Sequence, residues 1–507
     1  MQFRANNGKE IIMNTKKNIS CLLVAAILAG MLTSCQNSGN TSSSTSGSGN
    51  TNAAESGSET VETTEEDARK AIPDDLPERD YEGYEYRILT YQPEDYEIEE
   101  LTGDVVDDAI FDRNLRVNER FDVDVTAVKS ASIDSLDKEL KDSVVAGDNS
   151  YDIAIPHQII SGTGFITSHS ILTWNDVPYV NTEKPWWNQT INTTTNILGQ
   201  QYYMAGYVTM PTPFCMFINK DLAANYNLGD IYQVVRDKKW TMDKLKDVTA
   251  AVSSDLNGDG LYDSADQWGI TFNNDNTTLN FMYSCGIRSV ILEDGKPVPN
   301  TYNDTMVSFI ESLYDLVYND NRTLFTDYNN QWGIGAGGFK DGRIMIFCLS
   351  VGDLVEFRDS EINIGVIPYP MWDENQDGYH THVDAYNGML CIPKTADNLE
   401  RTGIVIEALA AETYKDVIPA YYDVTLGTKL ARDADTVEMM DIIFDSVVYD
   451  FGYIFDHWNG CTWTPCNMMV QGTTDVASYW KSIENKVTQH YDELYEAVEE
   501  DIAMKEE

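Results

Sequence analysis

Between Tyr84 and Ile155 the chain alternates β-rich runs with amphipathic helical ones, and this alternation restricts the fold more than any other feature. Tyr84 to Tyr91 alternates and is rich in β-formers, which predicts a strand. Val106, Ile110, Val117 and Phe121 then fall on one helical face, and residues 123–128 predict a second strand. Ile133, Leu136, Leu140 and Val144 mark another helix, ending near Gly147, and Tyr151 to Ile155 is a third strand stopped by Pro156. A β-α-β-α-β run of this kind implies an α/β fold with a largely parallel sheet covered by helices. Ligands of such sheets gather at the carboxyl ends of the strands, where His157 and Gln158 follow the third one.

The rest of the chain continues the alternation. Strands are expected at Phe214 to Asn219, Ile344 to Leu349 and Ile364 to Ile367. Helices are expected at Thr241 to Val252, Tyr302 to Tyr318, Gly403 to Glu412 and Thr436 to Val448. The roughly 427 residues from Tyr81 onward are long for one core and suit two domains. The expected architecture is two α/β lobes with a ligand cleft between them.

The N-terminal region reads as a processed anchor. Lys16 and Lys17 precede an apolar run from Ile19 to Leu32, and Leu32-Thr33-Ser34-Cys35 fits a lipobox. A run of about fourteen apolar residues is short for a permanent span, so residues 1–34 are read as a signal peptide with lipid added to Cys35. Lys9-Glu10 is compatible with a ribosome-binding sequence two codons before Met13, so translation is expected to start at Met13. Residues 35–80 are rich in Ser, Thr, Gly, Asn and Glu and are expected to be a flexible linker. The body would then sit on the outer face of the cell membrane, attached through lipid alone.

Removing residues 1–34, with four basic and one acidic side chain, takes the formal charge from -47 to -50. Such a surface argues against nucleic acid and anionic lipid as ligands. Six cysteines follow Cys35, and only Cys461 and Cys466 are close enough in sequence for a local bridge. Spacing leaves the pairing open.

Several stretches resemble the family 1 extracellular solute-binding proteins, the sugar-binding lipoproteins of ABC importers. They are Phe217-Ile218-Asn219-Lys220-Asp221-Leu222 with Trp240-Thr241 downstream, Gly338-Phe339-Lys340-Asp341-Gly342-Arg343, and Ile364-Gly365-Val366-Ile367-Pro368-Tyr369-Pro370. Tyr386 to Pro393 and Val417 to Gly452 complete the set, which spans most of residues 81–460. The resemblance implies a two-lobed periplasmic-binding-protein-like fold of type II, similar in architecture to maltose-binding proteins. It further implies a monomer that closes on a carbohydrate and docks on ABC permease subunits. By analogy, one crossing between lobes falls near Tyr207 to Phe214 and the return near Tyr386 to Leu390. Residues 81–210 plus 389–445 would then form lobe 1, and 211–388 plus 446–507 lobe 2.

The segment Asp255 to Asp266, DLNGDGLYDSAD, matches a calcium loop. Such a loop needs oxygens at positions 1, 3 and 5, glycine at 6, a backbone carbonyl at 7 and a carboxylate at 12. Here the ligands are Asp255, Asn257, Asp259, Leu261 through its carbonyl, Asp263 and Asp266. A structural calcium is expected, with Asp rather than the usual Glu at position 12.

Sugars bind where flat aromatic faces cover their C–H groups and carboxylates or amides bond their hydroxyls. The candidates outside periodic core positions are Trp186, Trp187, Trp332, Tyr386 near the return crossing, and Trp458, with His157 and Gln158 beside them. There is no GxSxG, HExxH or P-loop, so no catalytic role is expected. Acidic pairs suited to glycoside hydrolysis occur by chance among 82 carboxylates, which leaves a surface glycosidase as the enzyme-class alternative. Within binding proteins the alternative ligand is a peptide or other polar solute.

Overall fold

The structure, a computed structural model, describes residues 65–357, 359–427, 434–456 and 460–506. The signal segment, Cys35, most of the linker and Trp458 lie outside the described residues.

The opening alternation folds as its periodicity dictates. Strands Tyr84–Thr90, Val123–Lys129 and Ile153–Ile155 form a three-stranded parallel sheet with Tyr84–Thr90 in the middle. The helices between them are Val105–Phe121 and Ile133–Ala146. Asp104 caps the first by accepting from the Val106 and Asp107 amides, and Ser132 caps the second through Ser135. Gly147 ends the second helix in the left-handed region, at φ 69°. Tyr86 and Ile88 pack on one face of the sheet and Leu89 on the other, the period-two signature of a strand covered on both sides.

A second sheet has the order Ile364–Ile367, Phe214–Asn219, Ile344–Ser350, Trp268–Asn273, Thr323–Thr326. The last three strands run parallel to one another, whereas Phe214–Asn219 is antiparallel to both neighbours. Every residue of Phe214–Asn219 and Ile344–Ser350 is buried, as expected for central strands. The strands Trp268–Asn273 and Thr323–Thr326 were not expected from the sequence.

The two sheets belong to different lobes, and the crossing segments lie side by side. Met204 and Leu390 exchange backbone hydrogen bonds of 3.0 and 2.8 Å, and Pro213 bridges Val383 in antiparallel fashion. The Asp384 amide donates to the Thr212 carbonyl at 3.1 Å, and the Asn387 side chain to the Met210 carbonyl at 2.6 Å.

Three expected boundaries are corrected. The helix Ala434–Asp445, assigned to lobe 1, packs Met440, Ile443 and Phe444 against Phe217, Phe347 and Val366 of the five-stranded sheet. The passage back therefore precedes Ala434. Residues 446–507, assigned to lobe 2, touch both lobes. Phe451–Phe455 packs on Gln158–Thr167, Thr464–Gln471 packs on Asp304–Tyr318, and the helix Val476–Glu506 reaches from one lobe to the other. Its start is held by Asn467 donating to the Tyr479 hydroxyl at 2.8 Å. Its end is held by Tyr202 donating to Asp501 at 2.7 Å and Lys505 to Thr173 at 2.7 Å. Finally, the linker is structured well before residue 80. Glu65–Lys70 is helical, Ile72 and Leu76 pack on the first lobe, and Asp74 pairs with Arg120 at 2.5 Å. Two apolar side chains and a charged partner offset the ordering entropy of this stretch.

All six cysteines after Cys35 are unpaired and buried, so Cys461 and Cys466 form no bridge. No helix among the described residues is long and apolar enough to cross a membrane.

Candidate ligand cleft

The carboxyl ends of the parallel strands supply the side chains at the junction of the lobes. Tyr91 and Asp95 follow Tyr84–Thr90, and His157 follows Ile153–Ile155. From the other sheet, Asp275 follows Trp268–Asn273, Tyr328 follows Thr323–Thr326, and Asp353 follows Ile344–Ser350. The return crossing adds Asp384 and Tyr386. This is where open α/β sheets place ligands, because strand ends there diverge into loops.

Tyr91, His157 and Tyr386 form an aromatic cluster. The His157 ring meets Tyr386 edge-on at 5.1 Å between centroids, and Tyr91 lies 6.1 Å from Tyr386. The Tyr91 hydroxyl donates to the Tyr386 carbonyl at 2.8 Å, fixing the backbone while the Tyr386 ring stays 52% exposed. His157 is only 5% exposed, its Nδ1 has no hydrogen-bond partner, and burial lowers its pKa to about 4. It is therefore neutral at pH 7. Gln158 is fully buried and donates to the Asn387 carbonyl at 2.5 Å, so it pins the return crossing. Its Oε1 is unpartnered.

The carboxylates of this region were not singled out in the sequence. Asp384 accepts only the Tyr386 amide among described partners, at 2.9 Å, and Asp353 accepts from the Ser350 amide and hydroxyl at 2.9 and 2.8 Å. Asp275 holds one buried oxygen, Oδ1, with no partner. Desolvation first, then like charge nearby, raises Asp275 and Asp384 to about 6. Asp95 is raised to about 6 by desolvation, although water reaches it, as befits a group walled by protein but open on one side. Asp353 is raised by desolvation. The signal that could have found Asp95, Asp275 and Asp353 is position: each lies within five residues of the carboxyl end of a parallel strand.

Of the expected aromatic contacts, Tyr386 and Trp332 are half-exposed, and Trp332 sits on the turn Gln331–Gly335, held by an Asn273–Gln331 side-chain hydrogen bond. Trp186 and Trp187 are corrected. They are 0% and 3% exposed, with both indole N–H groups donating to Glu407, at 2.9 and 2.8 Å. Their polar edges are spent inside the protein. They do back a cavity of about 260 Å³ beside the crossing, shared with Tyr207, Pro211, Phe444 and Tyr449. Broader hollows of about 510 and 690 Å³ flank Val476–Glu506.

The expected calcium loop forms a tight turn. Gly258 and Gly260 adopt φ of 72° and 78°, and Tyr262 packs inward at 5.6 Å from the Trp268 ring. Asp255 accepts from the Gly258 and Gly260 amides, at 2.7 and 2.9 Å, and Asp266 from Leu256 and Asp263, both at 2.9 Å. These backbone donors lower the Asp266 pKa. The turn fits the motif, but among the described residues no group of three or more His, Cys, Asp or Glu converges as a metal site.

Comparison with solved structures gives matches at probability 1.00. UspC of M. tuberculosis is 15% identical, over 82% of this chain and 100% of that one, with a TM-score of 0.54. The galacto-N-biose/lacto-N-biose I-binding protein of an ABC transporter from Bifidobacterium longum is 14% identical, over 82% and 98%, with a TM-score of 0.53. The fold is that of the two-lobed solute-binding proteins. UgpB from Mycobacterium tuberculosis, in complex with glycerophosphocholine, is also similar: 13% identical, over 81% and 98%, TM-score 0.52. No family model and no curated protein matches the sequence.

Proposed function

We propose that this chain is a lipid-anchored extracellular binding protein that traps a carbohydrate between its lobes and delivers it to the permease subunits of an ABC importer. The observation that carries this reading is the meeting of strand ends from both sheets beside two paired crossing segments. Rotation about those segments changes the distance between Tyr91 and His157 on one lobe and Asp275, Tyr328 and Asp353 on the other. A solute that touches both sets favours the closed form by its differential affinity, and no bond chemistry is needed. Similarity to proteins whose structures hold sugars supports the ligand class, and similarity to binding proteins rather than enzymes supports a role without turnover.

Calorimetry and thermal shift against a panel of oligosaccharides test the reading. Saturable binding without product is expected, and released product would place the chain among the glycosidases. Cys35→Ala is expected to release the protein from the membrane fraction while leaving ligand affinity unchanged. The lipid would act as a leash that raises the effective concentration of the trap near its importer.

Calcium would be held by Asp255, Asn257, Asp259, Asp263, Asp266 and the Leu261 carbonyl, drawing carboxylates now bonded to backbone amides toward one point. Its role would be to fasten this loop beside Trp268. Addition of calcium is expected to raise the unfolding temperature, and Asp255→Ala to abolish the rise; an equal rise in the variant would refute the site.

A further inference from the structure

Two buried acids elsewhere in the chain are neutralised by guanidinium groups. Asp152 is met by Arg401 at 3.1 Å and Arg87 at 3.4 Å, and Asp450 by Arg288 at 3.4 Å. Asp275, Asp353 and Asp384 have no such partner among the described residues. Asp384 lies within electrostatic range of Asp275, Asp353, Tyr91, Tyr328 and Tyr453, and Asp353 within range of Glu356. Asp95, further along the first lobe, faces Glu94 and the single cation Arg113. The three are thus left to repel one another in a site walled by protein.

A further observation beside the carboxylates points to a ligand. His157, 5% exposed and at the N-terminal cap of Gln158–Thr167, makes no capping bond, and its Nδ1 is unpartnered. Its ring lies against Tyr386, whose exposed face completes an aromatic wall with Tyr91. A neutral imidazole, unsaturated carboxylates and aromatic faces together match a hydroxylated cation. The rings receive its C–H groups and its positive charge, the carboxylates receive its N–H donors or its field, and the imidazole nitrogen accepts a hydroxyl. A neutral sugar would satisfy the hydroxyl partners and leave the like charges uncompensated.

Resting on the solute-binding reading above, we propose that the solute taken by this cleft carries a cationic nitrogen, as an amino sugar or hydroxylated ammonium does. The cation lies among Asp275, Asp353 and Asp384, with its apolar face on Tyr386. Because Asp275 and Asp384 titrate at about 6, acidification removes the negative charge and weakens capture.

The test is calorimetry on the purified protein with matched probes: choline against its uncharged isostere 3,3-dimethyl-1-butanol, and glucosamine against N-acetylglucosamine, with maltotriose as a neutral oligosaccharide. Choline keeps its charge at every pH used, so its titration reports the protein alone. The expected result is at least about tenfold tighter binding of the cationic member at pH 7.5. That advantage should fall about tenfold at pH 5.0 and be lost in Asp384→Asn, which keeps the acceptor for the Tyr386 amide. Asp275→Asn, whose Oδ1 has no partner to lose, guards against a folding defect in the first variant. Binding of the neutral members alone, independent of pH, overturns the cationic ligand and leaves the solute-binding reading standing. Failure of both cationic probes at millimolar concentration overturns the cationic ligand, and the oligosaccharide panel decides the solute-binding reading separately.

Discussion

Two groups of aromatic rings with a carboxylate occur near the crossing segments, and they serve opposite ends. At Trp186, Trp187 and Glu407 every polar atom has an internal partner: two indole N–H groups and the Asn181 amide converge on one carboxylate. At Tyr91, His157, Tyr386 and Asp384 the Tyr386 ring keeps an exposed face, the His157 Nδ1 is unpartnered, and the carboxylate accepts a single described amide. The residue types are nearly the same. Saturation is what differs. A set closed on itself holds a loop in place, and a set left open has capacity for something from outside.

The comparison breaks most visibly at Glu407, which is fully buried. Glu407→Ala leaves two indole donors and an amide without acceptors, and a loss of about 3 kcal/mol or more is expected in denaturant unfolding. Solute affinity of the folded fraction should not change. A loss below about 1 kcal/mol would mean that the closed set is not structural. Tyr386→Ala is the mirror experiment: affinity should fall about tenfold, near 1.4 kcal/mol, while stability moves by less than about 0.5 kcal/mol. If stability and affinity fall together, Tyr386 belongs with the core.

A smaller effect sharpens the contrast through pH. Asp384 is raised to about 6 in the fold, against the ordinary carboxyl value of the unfolded chain. The folded state therefore holds its proton more tightly, and stability is lost as pH rises through about 6. Asp384→Asn removes that loss. The variant should melt about 1–2 °C above the parent at pH 8, and the gain should vanish below about pH 4, where the carboxyl is protonated in both states. A gain that persists at low pH would assign the effect to packing rather than charge.

The sheet of the first lobe was legible because local pattern decides it. Tyr84–Thr90 and Val123–Lys129 alternate, Val105–Phe121 carries its apolar stripe, and Gly147 stops a helix where only a left-handed residue fits. Trp268–Asn273 and Thr323–Thr326 were not legible. Both are short, and Trp268–Asn273 is buried throughout, so it lacks the alternation that marks a half-exposed strand. At the site, Tyr386 and His157 were readable from their places after a crossing and a strand. Trp186 and Trp187 were misread because what buries them is Glu407, more than two hundred residues away. Asp353 was within reach, since it follows the expected strand Ile344 to Leu349, whereas only the unforeseen strand Trp268–Asn273 gives Asp275 its place.

The six unpaired thiols are distributed so that each region keeps its own. Cys215 and Cys348 lie on central strands of the five-stranded sheet, Cys285 at the end of the helix Asn276–Ser284, Cys391 just past the return crossing beside Ala154, and Cys461 and Cys466 in the last segment that straddles both lobes. Burial pushes all of them upward, so none is nucleophilic while its surroundings stay shut. The molecule thus carries a set of internal clocks. The rate at which an alkylating reagent reaches each sulfur times the opening of that one neighbourhood, and shows whether the straddling helix loosens before either sheet does.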